Sequence, residues 1–596
     1  MKLRTKLIMA GAGAAIVTAA VSPWRIADPA AGDAVAEHLA QATGLKATVS
    51  GPITFKLLPR PRIQTGDLSI ADRDGALLVD APVLRAEIDV PSLLRGRWSM
   101  TAVTLIEPTI TLDLDRLAAP RRPVGGLPVP GATPGQVQLR LRSGLMRTKS
   151  STAFADVIAT GIDAAATWPG NGDGLVFSGT SNWRGTTVQF AGGLDRPERA
   201  FTPEGSSGSL QVESPIFSLA LAGRLSGGTQ DRFVGHIAAS TPALPRLQRA
   251  LDGFPVAITA HRAQINGDLV AKARDLSLSN AQIKLDRAKF EGTFAVRREN
   301  GRDLVEGTLA TDLLDVDALI GDAAKHEEVA AFYRQPLDAS AFTTDVDMRV
   351  SASAARIGRL SFGDAAVAAL LRAGRLELTL DEAGAYGGLI KARAIANIGQ
   401  DHLEGHAELS ATRVDLGRLS GALSGHDRVG GTLTGHAVLD GRGASFSDLV
   451  SSLGGHGQVT IDDGKLAGLS LGHMLRRLRQ KIPIEAERNR QPTTFDRASW
   501  GFSVDHGILS IPEGKLTAPG LQMSFGALTA LPDGRIDIRA VAAQTDSGGV
   551  PVQGSQRLPF DMRGSWDGPI VTVGHSGGMA LPSLSFPLLV PASPSP

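Results

Sequence analysis

The chain has 596 residues, 42 % of them hydrophobic, which allows about four ordinary domains by length and ample buried surface. Its 61 basic and 60 acidic side chains leave a formal charge of +1, so no global field attracts nucleic acid, and a polyanion partner is not expected. Cys is absent, which removes disulfides, thiol nucleophiles and Cys-ligated metals together. At the N-terminus Lys2, Arg4 and Lys6 precede an apolar run from Leu7 to Val21, then Ser22, Pro23 and Trp24. That is the layout of an export signal. Val17-Thr18-Ala19 offers a cleavage site, giving a removed signal peptide. The preferred reading is an uncleaved anchor over 1–25, with Trp24 and Arg25 at the interface and Lys2, Arg4 and Lys6 left in the cytoplasm. Either reading puts everything after Arg25 outside the cytoplasm.

Asp28-Pro29 is a helix start signal, and Val35, Leu39 and Ala42 share one helical face before Gly44. From Lys46 the apolar period becomes two: Ala86, Ile88 and Val90 alternate, as do Ile110, Leu112 and Leu114. These are half-buried strands of a first region, 26–117. Five prolines between Pro120 and Pro134 mark 118–136 as a linker and forbid a central strand. Short alternating runs such as Leu376-Glu377-Leu378-Thr379-Leu380 and Ile390 to Ile398 fill a central repetitive region, 137–454. A C-terminal β region, 455–575, carries Trp500, Phe502 and Val504, then Leu521, Met523 and Phe525, then Ile536 and Ile538. It also carries an amphipathic helix from Leu469 to Lys481, with Leu471, Met474, Leu475 and Leu478 on one stripe. A second helical segment is expected near Asp322 to Tyr333, and the tail 576–596 is proline-rich.

One loose pentad recurs five times: Asp or Ala, Leu or Val, two free positions, then Leu, at Asp89, Asp113, Ala243, Asp315 and Asp415. Most copies follow a strand-like run and read as the start of a short helical turn, a repeat of architecture with no sign of a compact catalytic domain. With roughly 12 residues per strand and turn, the exported part holds on the order of 40 strands. The fold class is therefore mainly β: a long, curled, antiparallel open sheet forming a β-groove, with few short helices and an N-terminal transmembrane helix. Aliphatic residues on the concave side make a trough, with Ile88, Leu112, Leu378, Ile390, Phe502, Phe525 and Ile538 as candidate lining. A dry sandwich, in which the apolar faces close on each other, has the same pattern.

Words that hint at catalysis have plainer readings. Gly574-His575-Ser576-Gly577-Gly578 spells a nucleophile elbow, but no acid and His follow Ser576. In Gly468-Leu469-Ser470-Leu471-Gly472, Ser470 reads better as a helix N-cap. Gly464-Lys465-Leu466 and Gly514-Lys515-Leu516 lack the rest of a phosphate loop and are read as hairpin turns. No His pair has metal-ligand spacing with a carboxylate beside it, so neither cofactor nor metal is expected. Arg476, Arg477, Arg479 and Lys481 are either the solvated side of a covering helix or a contact for anionic head groups at the groove end.

Gly44-Leu45-Lys46-Ala47-Thr48-Val49-Ser50-Gly51, Leu58-Pro59-Arg60-Pro61-Arg62-Ile63, Leu93-Leu94-Arg95-Gly96-Arg97-Trp98 and Leu105-Ile106-Glu107-Pro108-Thr109-Ile110 together resemble the N-terminal region of the AsmA family of Gram-negative envelope proteins. The stretch from Gly455 to Leu466, then Thr493-Thr494-Phe495-Asp496, Asp505-His506-Gly507, Ala518-Pro519-Gly520 and Arg563-Gly564-Ser565-Trp566-Asp567-Gly568-Pro569, is similar to the family's C-terminal part. The resemblance implies an AsmA/TamB-like repeating β-groove, held at the inner membrane with its bulk in the periplasm, serving outer-membrane biogenesis or phospholipid movement. Its implied partners are phospholipid or another acyl lipid, the inner membrane through the N-terminal helix, and envelope assembly proteins. It implies no enzyme. A β-rich secreted adhesin or passenger-type protein with a closed core is the alternative reading of the same pattern.

Overall fold

The computed structural model describes residues 24–26, 46–89, 100–113, 137–149, 159–251, 260–320, 342–467, 492–546 and 557–573, apart from short interruptions, together with 32–33, 36–37, 95, 334–337 and 552. The described residues are mainly β, with thirty-one strands. Single strands are long, reaching 15 residues in Val429–Gly443. The expected anchor 1–25 lies outside the described residues except at its end, where Trp24–Ile26 forms a strand paired with Ile53–Phe55. No described helix is long and apolar enough to cross a membrane. The expected helices at 322–333 and 469–481, the linker 118–136 and the tail 576–596 also lie outside the described residues.

Two compact units divide the chain, residues 1–298 and 299–596. The first begins with a small sheet in which Arg62–Ala71 pairs with Lys46–Val49, Ile53–Lys56 and Leu77–Ile88. Leu68, Ala81, Leu84, Ala86 and Leu105 bury together there, and Ala36, in a helical segment, packs against them. Leu77–Ile88 then pairs with both Met100–Ile106 and Thr109–Asp113, which together fill one strand position broken at Glu107 (φ 54°) and the buried Pro108. Both halves run parallel to Val137–Lys149. From that strand a ten-strand antiparallel meander continues to Ala288–Glu299.

The second unit opens with the parallel pair Arg302–Asp315 and Thr344–Ile357, then runs as an antiparallel meander to Ile570–Val573. An all-antiparallel sheet is thus corrected to a mixed one. Parallel neighbours need a connection that carries the chain back to the same end, and residues 114–136 and 316–343 supply it at the two parallel sites.

Three of the five pentads fall on described residues, and each opens a helix: α1 (Leu244–Ala250), α2 (Val316–Ile320) and α3 (Leu416–Ser424). The leading Asp explains two of them. Asp315 accepts from the Ala318 amide at 3.2 Å and Asp415 from the Arg418 amide at 3.0 Å, each capping a helix start. At Ala243 the Thr241 hydroxyl accepts the Ala243 amide instead, and Pro245 sets the first turn. A fourth helix, α4 (Phe446–Ser451), has a reciprocal Ser445–Asp448 capping box. Asp415→Ala should cost about 1 kcal/mol of local stability. Hydrogen exchange at the Arg418 and Leu419 amides checks this, with faster exchange expected there and no change in the neighbouring strands.

Candidate functional site: the apolar face of each unit

Hydrogen-bonded partners in adjacent strands point to the same side of a sheet, so the registers trace each face residue by residue. In the second unit, Leu378 lies opposite Ala394 and Ile390 opposite Ala411. Further along, Phe502 lies opposite Gly457, Phe525 opposite Ala540 and Ile538 opposite Ala527. Followed strand by strand through Leu409, Ala437, Val459 and Leu516, these five candidates share one face. The opposite face is polar. Arg393 pairs with Glu377, Arg497 with Asp462 at 2.7 Å and Arg563 with Asp537 at 3.4 Å, each across neighbouring strands.

Strict alternation would not keep one face apolar over so many strands, and bulges correct it. Leu376, Leu378 and Leu380 step by two, then the face resumes at Ala383 and Ala385, across a register shift. Ala407, Leu409 and Ala411 are followed by Val414, with Arg413 held at φ 53° between them. Each bulge inserts one residue, returns the apolar set to its side and adds local twist and bend to the strand.

Helices wall this face at the ends of its strands. Phe446 and Leu449 of α4 pack with Ile398 and Leu403 at one end, while Leu416 of α3 packs near Ile461 and Phe495 at the other. Between the walls the floor is open: Leu378 is 42 % and Leu409 44 % exposed. A sandwich core would bury such residues. Towards Arg535–Gln544 the same face closes into a cluster that includes Ile461, Leu516, Met523 and Ala542.

Large rings on the face lie flat over glycines of the next strand. A Cβ on Gly457 would come within 3.0 Å of the Phe502 ring, one on Gly514 of the Phe525 ring and one on Gly464 of the Phe495 ring. The two Gly-Lys-Leu words are therefore corrected: Gly464 and Gly514 are not hairpin turns but sit inside Gly454–Leu466 and Ile508–Ala518 beneath these rings. Trp500 meets Phe525 edge-on at 5.8 Å across that glycine.

The first unit repeats the pattern by itself. Phe177, Phe190, Leu210, Leu221, Ile237 and Leu269 lie on one face of its meander, with the rings of Phe177 and Phe190 over Gly192 and Gly179. Ile88 and Leu112, the two candidates in this unit, are placed at opposite ends of Leu77–Ile88. Leu112 lies opposite Leu77 and is half-buried, whereas Ile88 is 5 % exposed in a cluster with Ile53 and Ile63. Arg476, Arg477, Arg479 and Lys481 lie outside the described residues.

On the polar face of the second unit His406 meets Asp440 at 2.8 Å and Glu408 at 3.3 Å. The hydrogen bond to Asp440, with Glu408 adding to it, raises the imidazole above its ordinary value. Because the folded value is the higher one, the stabilisation is complete below the unfolded value and is lost as pH rises through the folded one. An NMR titration of His406 is expected to show this elevation, and Asp440→Asn should reduce it.

No curated protein matches the chain. The AsmA family matches residues 255–513, a range that takes in α2, α3, α4, the open floor at Leu378 and Leu409, and the aromatic pair Trp500 and Phe502. This match supports assigning the chain to the AsmA family.

Proposed function

We propose that the chain is a periplasmic, inner-membrane-anchored protein of outer-membrane biogenesis whose apolar faces hold or conduct the acyl chains of phospholipid. The AsmA match and the large β-sheet fit envelope-biogenesis and lipid-transport proteins. The observation that carries the finer reading is the open floor of the second unit, an apolar face walled by helices at its strand ends and half-exposed between them. Leu, Ile, Val, Ala and flat-lying Phe offer a hydrocarbon surface with few polar atoms, which suits an acyl chain better than a sugar or a nucleobase.

The mechanism is passive. An acyl chain laid across the strands meets a fresh row of side chains about every 4.8 Å. Each methylene withdrawn from water contributes about 0.8 kcal/mol, so a dozen give on the order of 10 kcal/mol before the cost of ordering the chain. Because neighbouring rows are chemically alike, sliding from one to the next exchanges equivalent contacts. No side chain has to make or break a bond, and the reading assigns no catalytic residue. Placement of the bulk in the periplasm rests on Lys2, Arg4 and Lys6 ahead of the apolar run from Leu7 to Val21.

A photoreactive amino acid at Leu378 or Leu409 of the full chain is expected to crosslink phospholipid in cells, while the same probe at Lys391 or Glu408, on the opposite face, is not. Equal labelling of both faces would overturn the reading. Leu378→Glu with Leu409→Glu places two charges on the exposed floor and should lower copurifying lipid about tenfold, with the circular dichroism spectrum unchanged.

A further inference from the structure

The first unit contains a cavity of about 770 Å³ lined by Arg184, Arg246 and Arg249 with Thr160, Asn182 and Thr186 among the other groups. Its construction follows from the local sequence. Trp183 pairs with Thr186, and the two residues between them, Arg184 (φ 47°) and Gly185 (φ 78°), make a tight turn of the hairpin class that needs positive φ at both positions. Opposite this turn stands α1, where Arg246 and Arg249 are three residues apart and so share one side of the helix. Arg249 is steadied by donating from Nε to the Pro245 carbonyl at 3.3 Å.

Three hydrogen bonds fix the rest of the rim. The buried Thr241 hydroxyl donates to the Ile216 carbonyl at 2.7 Å and accepts from the Ala243 amide at 3.1 Å, tying the Ile216 turn to the start of α1. The Leu244 amide donates to the His261 carbonyl at 2.7 Å, holding the helix to the next strand connection. Beside the cavity the apolar face of the unit ends in Trp183, packed edge-on against Phe217 at 5.6 Å. The rim therefore joins a cationic, hydrogen-bonding cup to the end of a hydrocarbon surface.

We infer that this cavity is a binding site for a phosphate group, of the kind a glycerophospholipid head group carries at the end of its acyl chains. Guanidinium groups recognise phosphate through paired, charge-assisted hydrogen bonds, and the Thr and Asn side chains supply further donors to its remaining oxygens. Phosphate recognition stands on the cavity alone. That a lipid brings the phosphate rests on the function proposed above.

The test uses the purified full chain with three probes: inorganic phosphate, dihexanoylphosphatidylglycerol and dihexanoylphosphatidylcholine. The wild-type chain is expected to bind the phosphatidylglycerol most tightly, and R184Q/R246Q/R249Q to weaken that binding by about tenfold or more. The triple lysine variant keeps the charge but loses the paired geometry, so an intermediate affinity is expected and guards against a folding defect in the glutamine variant. A photoreactive probe at Ile237, on the apolar face of the same unit, reports acyl contact separately and should label equally in wild type and variants. Loss of acyl labelling in every form, with phosphate binding still lost in the glutamine variant, would remove the lipid reading and leave the phosphate site standing. Inorganic phosphate bound as tightly as the lipid would make the source free phosphate. Unchanged phosphatidylglycerol binding in the glutamine variant overturns the site.

Discussion

A one-layer sheet must keep every apolar side chain on one side without a second sheet to enforce the choice, so cross-strand register carries the whole arrangement. A slip of one residue in any strand would send its leucines to water and its charges to the floor. Two devices hold the register here. Ion pairs between neighbouring strands, such as Arg497 with Asp462 and Arg563 with Asp537, lock the polar side. Bulges next to residues such as Asn280 and Arg413 reset the apolar side wherever alternation drifts. Each pair is exposed and worth little alone, but a misregistered strand would break its pairs while burying charge, and that combined penalty selects one register.

Glycine beneath an aromatic ring solves a second problem of an open apolar surface. A ring standing upright would block the floor and present its edge to solvent; a ring laid over Gly457 or Gly514 covers backbone and leaves the space above it clear. The face therefore has aromatic burial without a ridge. Phe177 and Phe190 use Gly192 and Gly179 in the same way in the first unit, so the device belongs to the fold and not to one place in it.

Much of this was legible in the sequence because period two is a direct signature of half-buried strands. The runs Leu376 to Leu380, Trp500 to Val504 and Leu521 to Phe525 fall where the alternation puts them, and the five candidates of the second unit share a face despite the intervening bulges. What alternation hides is the step of three: Leu278 and Ala281 are both buried on one side, with Asn280 at φ 50° between them. Gly464 and Gly514 spell turn signals yet lie mid-strand, because what selects glycine there is a ring from the neighbouring strand and not a local turn. The parallel pairs escaped notice because strand direction depends on connections, not on strands. α4 could have been found, since Ser445 and Asp448 spell its capping box. The three arginines of the first unit could not, because nothing local links Arg184 to residues more than sixty positions away.

The bulge-corrected register also governs how such a chain can change length. Inserting a single residue within a strand, where no bulge absorbs it, would invert everything up to the next hairpin, whereas duplicating or deleting a complete antiparallel hairpin leaves both neighbours with the partner edge they had. Descendants of this sequence can therefore lengthen or shorten their sheets in increments of two strands. Variation in span among such proteins would then be stepped, like links added to a chain, and never gradual.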